Sequence, residues 1–294
     1  MTFHTISSTL IDKLIKGPSP SKGNEIANLQ NYIQDILSVG YHTFLQGSYK
    51  NDTAISDIND VDIVALRLQT YSGTHSPQPT TQIILWDSIF SEIEAKLKAQ
   101  TRYNWTVSRG DKCINIRGGF NADVVPAAQI GTDHLVDPIA VYSFRDNVEK
   151  INKPRIHYKN GVDKNKLTNN TYKPTVRMFK NWVKNHFGDD KKTISSFKME
   201  ALVHSAEHSL FSDDYAVNFP VIANTIINKF RNSYTLPGYI SSVCGTENII
   251  ANWDPVDRAK FIQKLNESKD NALHAINATS QWHADDYWKR AFNL

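Results

Sequence analysis

The sequence predicts an α+β protein: a mixed-sheet lobe with helices at its N-terminus, residues 1–154, followed by a helical lobe, residues 155–294. Short β-branched runs bounded by turn residues, such as Val61-Asp62-Ile63-Val64-Ala65-Leu66, mark strands in the first half. From residue 155 onward the apolar residues recur at helical spacing. At 294 residues and 40% hydrophobic content the chain buries a full core, which suits two closely apposed lobes better than two independent domains.

Leu10, Ile11, Leu14 and Ile15 predict a first short helix, stopped by Gly17-Pro18-Ser19-Pro20. A second is expected over residues 22–38, where Ile26, Leu29, Ile33, Ile36 and Leu37 fall on one face, with Ser21 as its cap and Gly40 just past its end. Then come a strand over 41–46, an acidic strand over 60–68, and a Ser/Thr/Pro-rich loop from Thr70 to Thr81, expected to form a mobile rim. A helix over 82–99 and strands near 103–108, 112–117 and 120–126 complete the sheet lobe. The helical half should contain helices near 172–187, 193–211, 217–232, 256–275 and 280–291, with Pro174 in the first turn of its helix. In Trp253-Asp254-Pro255, Asp254 is placed to cap and Pro255 to begin a helix, so Trp253 reads as a core residue in preference to a base-stacking one. There is no internal repeat or low-complexity tract.

Chemistry concentrates between residues 46 and 62. Asp60 and Asp62 stand two apart on a strand and therefore on one face, where two carboxylates repel unless cations sit between them. Hard divalent cations with oxygen ligands fit such a pair, Mg²⁺ in particular. The preceding strand ends at Gly47-Ser48, where a glycine lets the backbone approach a phosphate and the following amides and the Ser48 hydroxyl can donate to it. Each half is common alone; the conjunction joins an anion site to its counter-ion. Asp123, in the apolar run Ala122-Asp123-Val124-Val125, needs a partner in a central strand. That partner is either a shared metal or an arginine such as Arg117.

The formal charge is +3, yet residues 145–192 hold 13 Lys and Arg against 5 Asp and Glu, while the remainder is net acidic. Within this band Arg177, Lys180 and Lys184 line one helix face, which is either a solvated surface or a polyphosphate contact. The concentration of charge favours an anionic ligand. Two cysteines, Cys113 and Cys244, fit a reducing cytoplasm and exclude a multi-cysteine zinc site. No run has the apolar length of a membrane span and no secretory signal is visible, so a cytoplasmic protein without membrane contact is expected. His204-Ser205-Ala206-Glu207-His208 matches an inverted zinc-peptidase pattern, but without an evident third ligand both histidines read as ordinary helix residues.

Gly47-Ser48, Thr53, Asp60-x-Asp62 and the later strand Asp123 resemble the signature of the oligoadenylate-synthase and cGAS/DncV-like nucleotidyltransferases, within the DNA polymerase β-like superfamily. Val176-Arg177-Met178-Phe179-Lys180-Asn181-Trp182 is similar to the family helix whose lysine grips the donor triphosphate. Ser195-Ser196-Phe197-Lys198-Met199-Glu200 is similar to the next helix, whose serine joins that grip. The resemblance spans about residues 46–210, and in size and layout it is to the compact bacterial members that make cyclic di- or trinucleotide messengers for anti-phage signalling.

It implies a polymerase β-like fold with the active site in the cleft between the lobes, and metal-dependent nucleotidyl transfer with pyrophosphate as leaving group. Asp60 and Asp62 would hold one Mg²⁺ on the donor triphosphate, and Asp123 with the same pair a second that activates the acceptor hydroxyl, with Mn²⁺ as a substitute. Gln46, Gly47, Ser48, Lys180, Lys184 and Ser196 would contact the phosphates. The expected partners are NTP substrates and a downstream effector reached through the soluble product. A nucleic-acid activator is not expected, although the basic band from Arg145 to Lys192 is long enough to include a groove for one. The competing functions are a linear-product nucleotidyltransferase of the poly(A) or CCA-adding kind, and a catalytically silent nucleotide- or RNA-binding member.

Overall fold

The computed structural model describes residues 7–56, 60–77, 85–188, 190, 193–231 and 238–294. Helix α1 (Ser8–Ile15) is capped by Ser7, whose Oγ accepts from the Leu10 amide. Helix α2 (Pro20–Leu37) begins two residues before the expected start because Pro20, with its fixed φ, suits a first helical position. Ser19, not Ser21, is accordingly its cap, accepting from the Lys22 amide at 3.3 Å.

Strand β1 (Tyr41–Gln46) leads into a single helical turn, α3 (Gly47–Lys50), and β2 (Asp60–Tyr71) follows. Helix α4 (Trp86–Ala99) lacks the expected first residues among those described, since 81–84 and part of the Thr70–Thr81 loop lie outside them. Strands β3 (Thr106–Arg109), β4 (Ile114–Arg117) and β5 (Asn121–Gln129) match the expectation, with β5 running three residues further. The hairpin of β6 (Ile139–Ser143) and β7 (Val148–Asn152) was not expected from the pattern: Glu149 and Lys150 interrupt the apolar alternation of β7.

The strands form one sheet in the order β1-β2-β5-β4-β3, with β6 pairing to β5 and β7 to β6. Only the β2–β5 pair among these is parallel. Period-two alternation divides the sheet's side chains. Ile63, Ala65, Ile114, Ile116, Ala122 and Val124 bury against Ile26, Ile33 and Leu37 of α2 and Phe90, Ile93 and Leu97 of α4. Val64, Leu66, Val125, Ala127, Ile139 and Val141 form a smaller cluster on the opposite face. Asp60 and Asp62, in phase with Val64 and Leu66, therefore point away from α2 and α4.

After β7 the chain is helical: α5 (Pro154–Leu167), α6 (Tyr172–Phe187), α7 (Ser196–His204), α8 (Tyr215–Arg231), α9 (Pro255–Ile276) and α10 (Gln281–Phe292). Helix α5, rich in Lys and Asn, has few apolar residues, so the helical spacing that starts near residue 155 does not mark out its bounds. The helix expected over 193–211 is shorter, ending at His204 with a separate 3-10 turn at His208–Leu210. Asp254 caps α9 as expected, accepting from the amides of Val256 (2.8 Å) and Asp257 (3.1 Å). Trp253 is buried and donates its indole N–H to the Thr193 carbonyl at 2.8 Å. Trp182, Phe179, Phe219, Phe261, Trp288 and Phe292 dominate the core of this unit. Each such side chain, fully buried, contributes roughly 1.5–3 kcal/mol.

Two compact units result. One holds Pro18–Asn51 and the chain from the acidic strand to Tyr158; the other holds the chain up to Gly17, the short segment Asp52–Ser56, and Lys159–Leu294. The sequence reading places the division at 154/155 with both N-terminal helices in the first lobe. Here α1 counts with the helical unit, because Leu14 buries in its core.

Candidate active site

In the sheet unit, Asp60 and Asp62 open β2, and the parallel register sets Asp62 beside Asp123 and Asp60 beside Asn121. On the other side of β2, Gln46 pairs with Asp62. The end of β1, the start of β2, the start of β5 and the end of β4 thus bring Gln46, Gly47, Asp60, Asp62 and Asp123 to one end of the sheet. Asp60 is exposed, and Asp62 and Asp123 are half-buried.

Gly47 has φ +71°, a conformation that side chains with a Cβ rarely adopt. A Cβ there would overlap Oδ2 of Asp62. The glycine is therefore required twice, to turn the chain from β1 into α3 and to leave room for the carboxylate. Gln46 Oε1 accepts from Asn152 Nδ2 at 3.0 Å, which fixes the amide at the strand end. Ser48 is half-buried in α3.

Asp123 has the arginine partner that its sequence context left open. Arg117 Nη2 lies 2.9 Å from Asp123 Oδ1. The same oxygen is buried and accepts no hydrogen bond, so the guanidinium approaches as a charge outside hydrogen-bond alignment. Arg117 Nη1 donates to the carbonyls of Ile116 (2.9 Å) and Ala122 (3.1 Å). Cys113, on the same sheet face, donates to Asn115 Oδ1 at 3.4 Å; burial, with the charges of Asp123 and Asp62, pushes its thiol up to about 12.

Three features suit a hard divalent cation here: an all-oxygen donor set, a buried carboxylate oxygen without a hydrogen bond, and a glycine that clears space for Asp62. As the side chains stand, no three His, Cys, Asp or Glu among the described residues are gathered closely enough to hold an ion. His204 and His208 are no exception: α7 ends between them, so they share no helix face.

In the helical unit the cationic stripe of α6 is largely turned to other uses. Lys180 Nζ donates to Glu200 Oε2 and to Thr53 Oγ1, both at 2.9 Å, and the Thr53 hydroxyl donates to Glu200 at 2.8 Å. The Lys180 and Glu200 side chains are 5% and 3% exposed. Arg177 donates to the carbonyls of Asp52 (2.7 Å) and Ile15 (2.5 Å), and Lys173 pairs with Asp52 at 3.7 Å. The segment Asp52–Ser56 is thereby clamped to α6. Lys184 is exposed on this helix, and Ser196 is exposed at the first residue of α7, whose cap is Ser195. The sequence reading did not assign Glu200 a role. The signal is Val176 and Val183 at i−4 and i+3, which border Lys180 with the buried apolar face of α6, where a lysine needs an acid to answer it.

The chain as a whole has relatives among known proteins. The family model described as the cGAS/DncV-like nucleotidyltransferase C-terminal helical domain matches residues 159–270. The cyclic dipyrimidine nucleotide synthase CdnE of Legionella pneumophila is 32% identical, over 69% of this chain and 76% of that protein. The cyclic AMP-AMP-AMP synthase of an Acinetobacter species is 25% identical, over 93% of this chain and 80% of its own length. The fold matches that of the Rhodothermus marinus CdnE c-UMP-AMP synthase, solved with Apcpp and Upnpp, at a TM-score of 0.70 and 20% identity, covering 89% of this chain and 96% of that one. With its helical domain matched and a cyclic dipyrimidine nucleotide synthase 32% identical over more than two thirds of both chains, the chain belongs to the cGAS/DncV-like nucleotidyltransferases.

Proposed function

We propose that this nucleotidyltransferase condenses NTPs into a cyclic di- or trinucleotide with release of pyrophosphate, and that the soluble product reaches a downstream effector in anti-phage signalling. The observation that carries the site is Gly47, which holds its positive φ against the carboxylate of Asp62 where the strand ends gather Asp60 and Asp123. Asp60 and Asp62 would hold one Mg²⁺ or Mn²⁺ and, with Asp123, a second. When bound, these ions would supply charge neutralisation on the triphosphate and lower the pKa of the acceptor hydroxyl. The chain's own part is to present carboxylates in register, and to offer the amides after Gly47 and the Ser48 hydroxyl to phosphate oxygens. Gln46 would extend that turn.

Lys180, Lys184 and Ser196 are proposed as phosphate contacts on the family resemblance. For Lys180 this role means exchanging Glu200 for a phosphate oxygen. A cyclic product requires two or more successive transfers, the last closing the ring.

The test is incubation with all four NTPs and Mg²⁺ or Mn²⁺, without added nucleic acid, then mass spectrometry of the phosphatase-resistant products. A cyclic product is expected. Exclusively linear products, or strict dependence on added DNA or RNA, would replace this reading by a polymerase or a nucleic-acid sensor. Absence of any product would replace it by a silent binding member.

A further inference from the structure

We infer that Arg117 is a displaceable counter-ion, holding the Asp123 carboxylate until a divalent cation takes its place. The inference rests on the reading of Asp60, Asp62 and Asp123 as cation ligands. Asp123 Oδ1 is buried and accepts no hydrogen bond, so what compensates its charge is the guanidinium 2.9 Å away. That contact is a charge contact, because the approach of Nη2 lies outside hydrogen-bond alignment. The hydrogen bonds of Arg117 go elsewhere: to the carbonyls of Ile116 and Ala122 from Nη1, and to Asn115 Oδ1 at 3.4 Å from Nη2.

Two features make the arginine able to leave. Its side chain is 42% exposed against 27% for Asp123, so it swings into water without opening the core. It also stands at the last residue of β4, immediately before the Gly118-Gly119 turn, where both glycines have positive φ. A dication on Oδ1 and a guanidinium at its present distance would repel strongly in this partly buried setting. Occupancy is therefore exclusive, and Arg117 raises the cation concentration needed to fill the site at Asp123.

The experiment measures Mn²⁺ binding to the full chain without nucleotide, by titration calorimetry and by the electron paramagnetic resonance of free Mn²⁺. Arg117→Gln should tighten the weaker Mn²⁺ site by about tenfold, the scale of removing one close like charge. Arg117→Lys, which keeps the charge, should stay near wild type. In an Asp123→Asn background, Arg117→Gln should change nothing. A second readout uses the unaltered protein: titration with diamagnetic Mg²⁺ should move the Arg117 side-chain ¹⁵N resonance toward that of a solvated guanidinium. If Asp123→Asn weakens Mn²⁺ binding while Arg117→Gln leaves it unchanged or weaker, or if the resonance stays fixed as Mg²⁺ saturates, Arg117 is a permanent structural partner and the inference fails alone. If Asp60→Asn with Asp62→Asn leaves Mn²⁺ binding intact, the cation site itself is wrong and the inference falls with it.

Discussion

The two units treat charged side chains in opposite ways. The sheet unit gathers like charges, setting three carboxylates at neighbouring positions of two parallel strands, with a half-exposed arginine beside Asp123. The helical unit pairs unlike charges, closing Lys180, Glu200 and Thr53 into a buried triangle with contacts of 2.8–2.9 Å. A triangle of this kind is complete without a ligand, and its removal should register in stability. On the proposed reading, the set of adjacent carboxylates is completed by cations from outside, and its removal should register in activity. Charged groups can thus serve different ends, and the sign of the neighbouring charge tells them apart.

The strongest way to break that contrast is Asp60→Asn with Asp62→Asn. Product formation should fall below detection, while the thermal midpoint without metal holds or rises because the mutual repulsion is gone. A double variant that still turns over NTPs would remove the cation site, and one that unfolds would make these acids structural.

Lys180 tests the other side. Lys180→Met alone removes the ammonium that pairs with the buried Glu200 carboxylate, leaving the Thr53 hydroxyl on it, and should cost about 3–5 kcal/mol in chemical denaturation. Adding Glu200→Leu should recover most of that loss. NTP affinity then separates two roles for the lysine. If the stabilised double variant binds NTPs like wild type, Lys180 is a structural partner of Glu200. If affinity stays lower by about 1.5–3 kcal/mol for every base, the lysine also meets phosphate.

A smaller effect is expected of Gly47→Ala, which acts on activity and stability together. The added methyl must push the Asp62 carboxylate aside in a backbone conformation that alanine disfavours. Turnover should fall on the order of 10²-fold, as for small misplacements of catalytic groups, with about 1–3 kcal/mol of stability lost to strain. Unchanged turnover would mean that the Asp62 position is not critical.

Much of this was legible from the chain because it depends on local periods. The two-residue spacing of Asp60 and Asp62, the glycine after a strand, and the Asp254-Pro255 cap each follow from backbone geometry that a few neighbouring residues determine. The α+β division was legible for the same reason. What escaped depended on distant partners. Glu200 meets Thr53 across 147 positions and Lys180 across 20, and no local pattern announces either contact. The β6–β7 hairpin escaped because its alternation is diluted by charge, and α5 because packing, not propensity or pattern, sustains a helix so poor in apolar residues. For Asp123 the local pattern fits either an arginine such as Arg117 or a metal, and only the β4–β5 pairing places the arginine beside it.

Lys164 sharpens the comparison within the helical unit, because it is a buried lysine with no contacting acid among the described residues. Its ammonium donates to the Ala206 carbonyl at 2.6 Å and lies over the rings of Phe211 (5.2 Å) and Tyr172 (5.8 Å). Burial lowers its pKa to about 8, with Glu207 opposing and Lys229 assisting the shift. A base whose folded pKa lies below its unfolded value of about 10.4 holds fewer protons in the native state across the interval between them. Folding stability therefore gains with pH over that interval, as the unfolded state loses its proton advantage in full only at the upper end. Denaturation curves of wild type and Lys164→Met, taken from pH 8 to 10.5, should show wild type gaining on the variant as pH rises. A difference that stays flat would mean that the carbonyl and the two rings already satisfy the ammonium, placing Lys164 beside Lys180 among the charges this unit has fully answered.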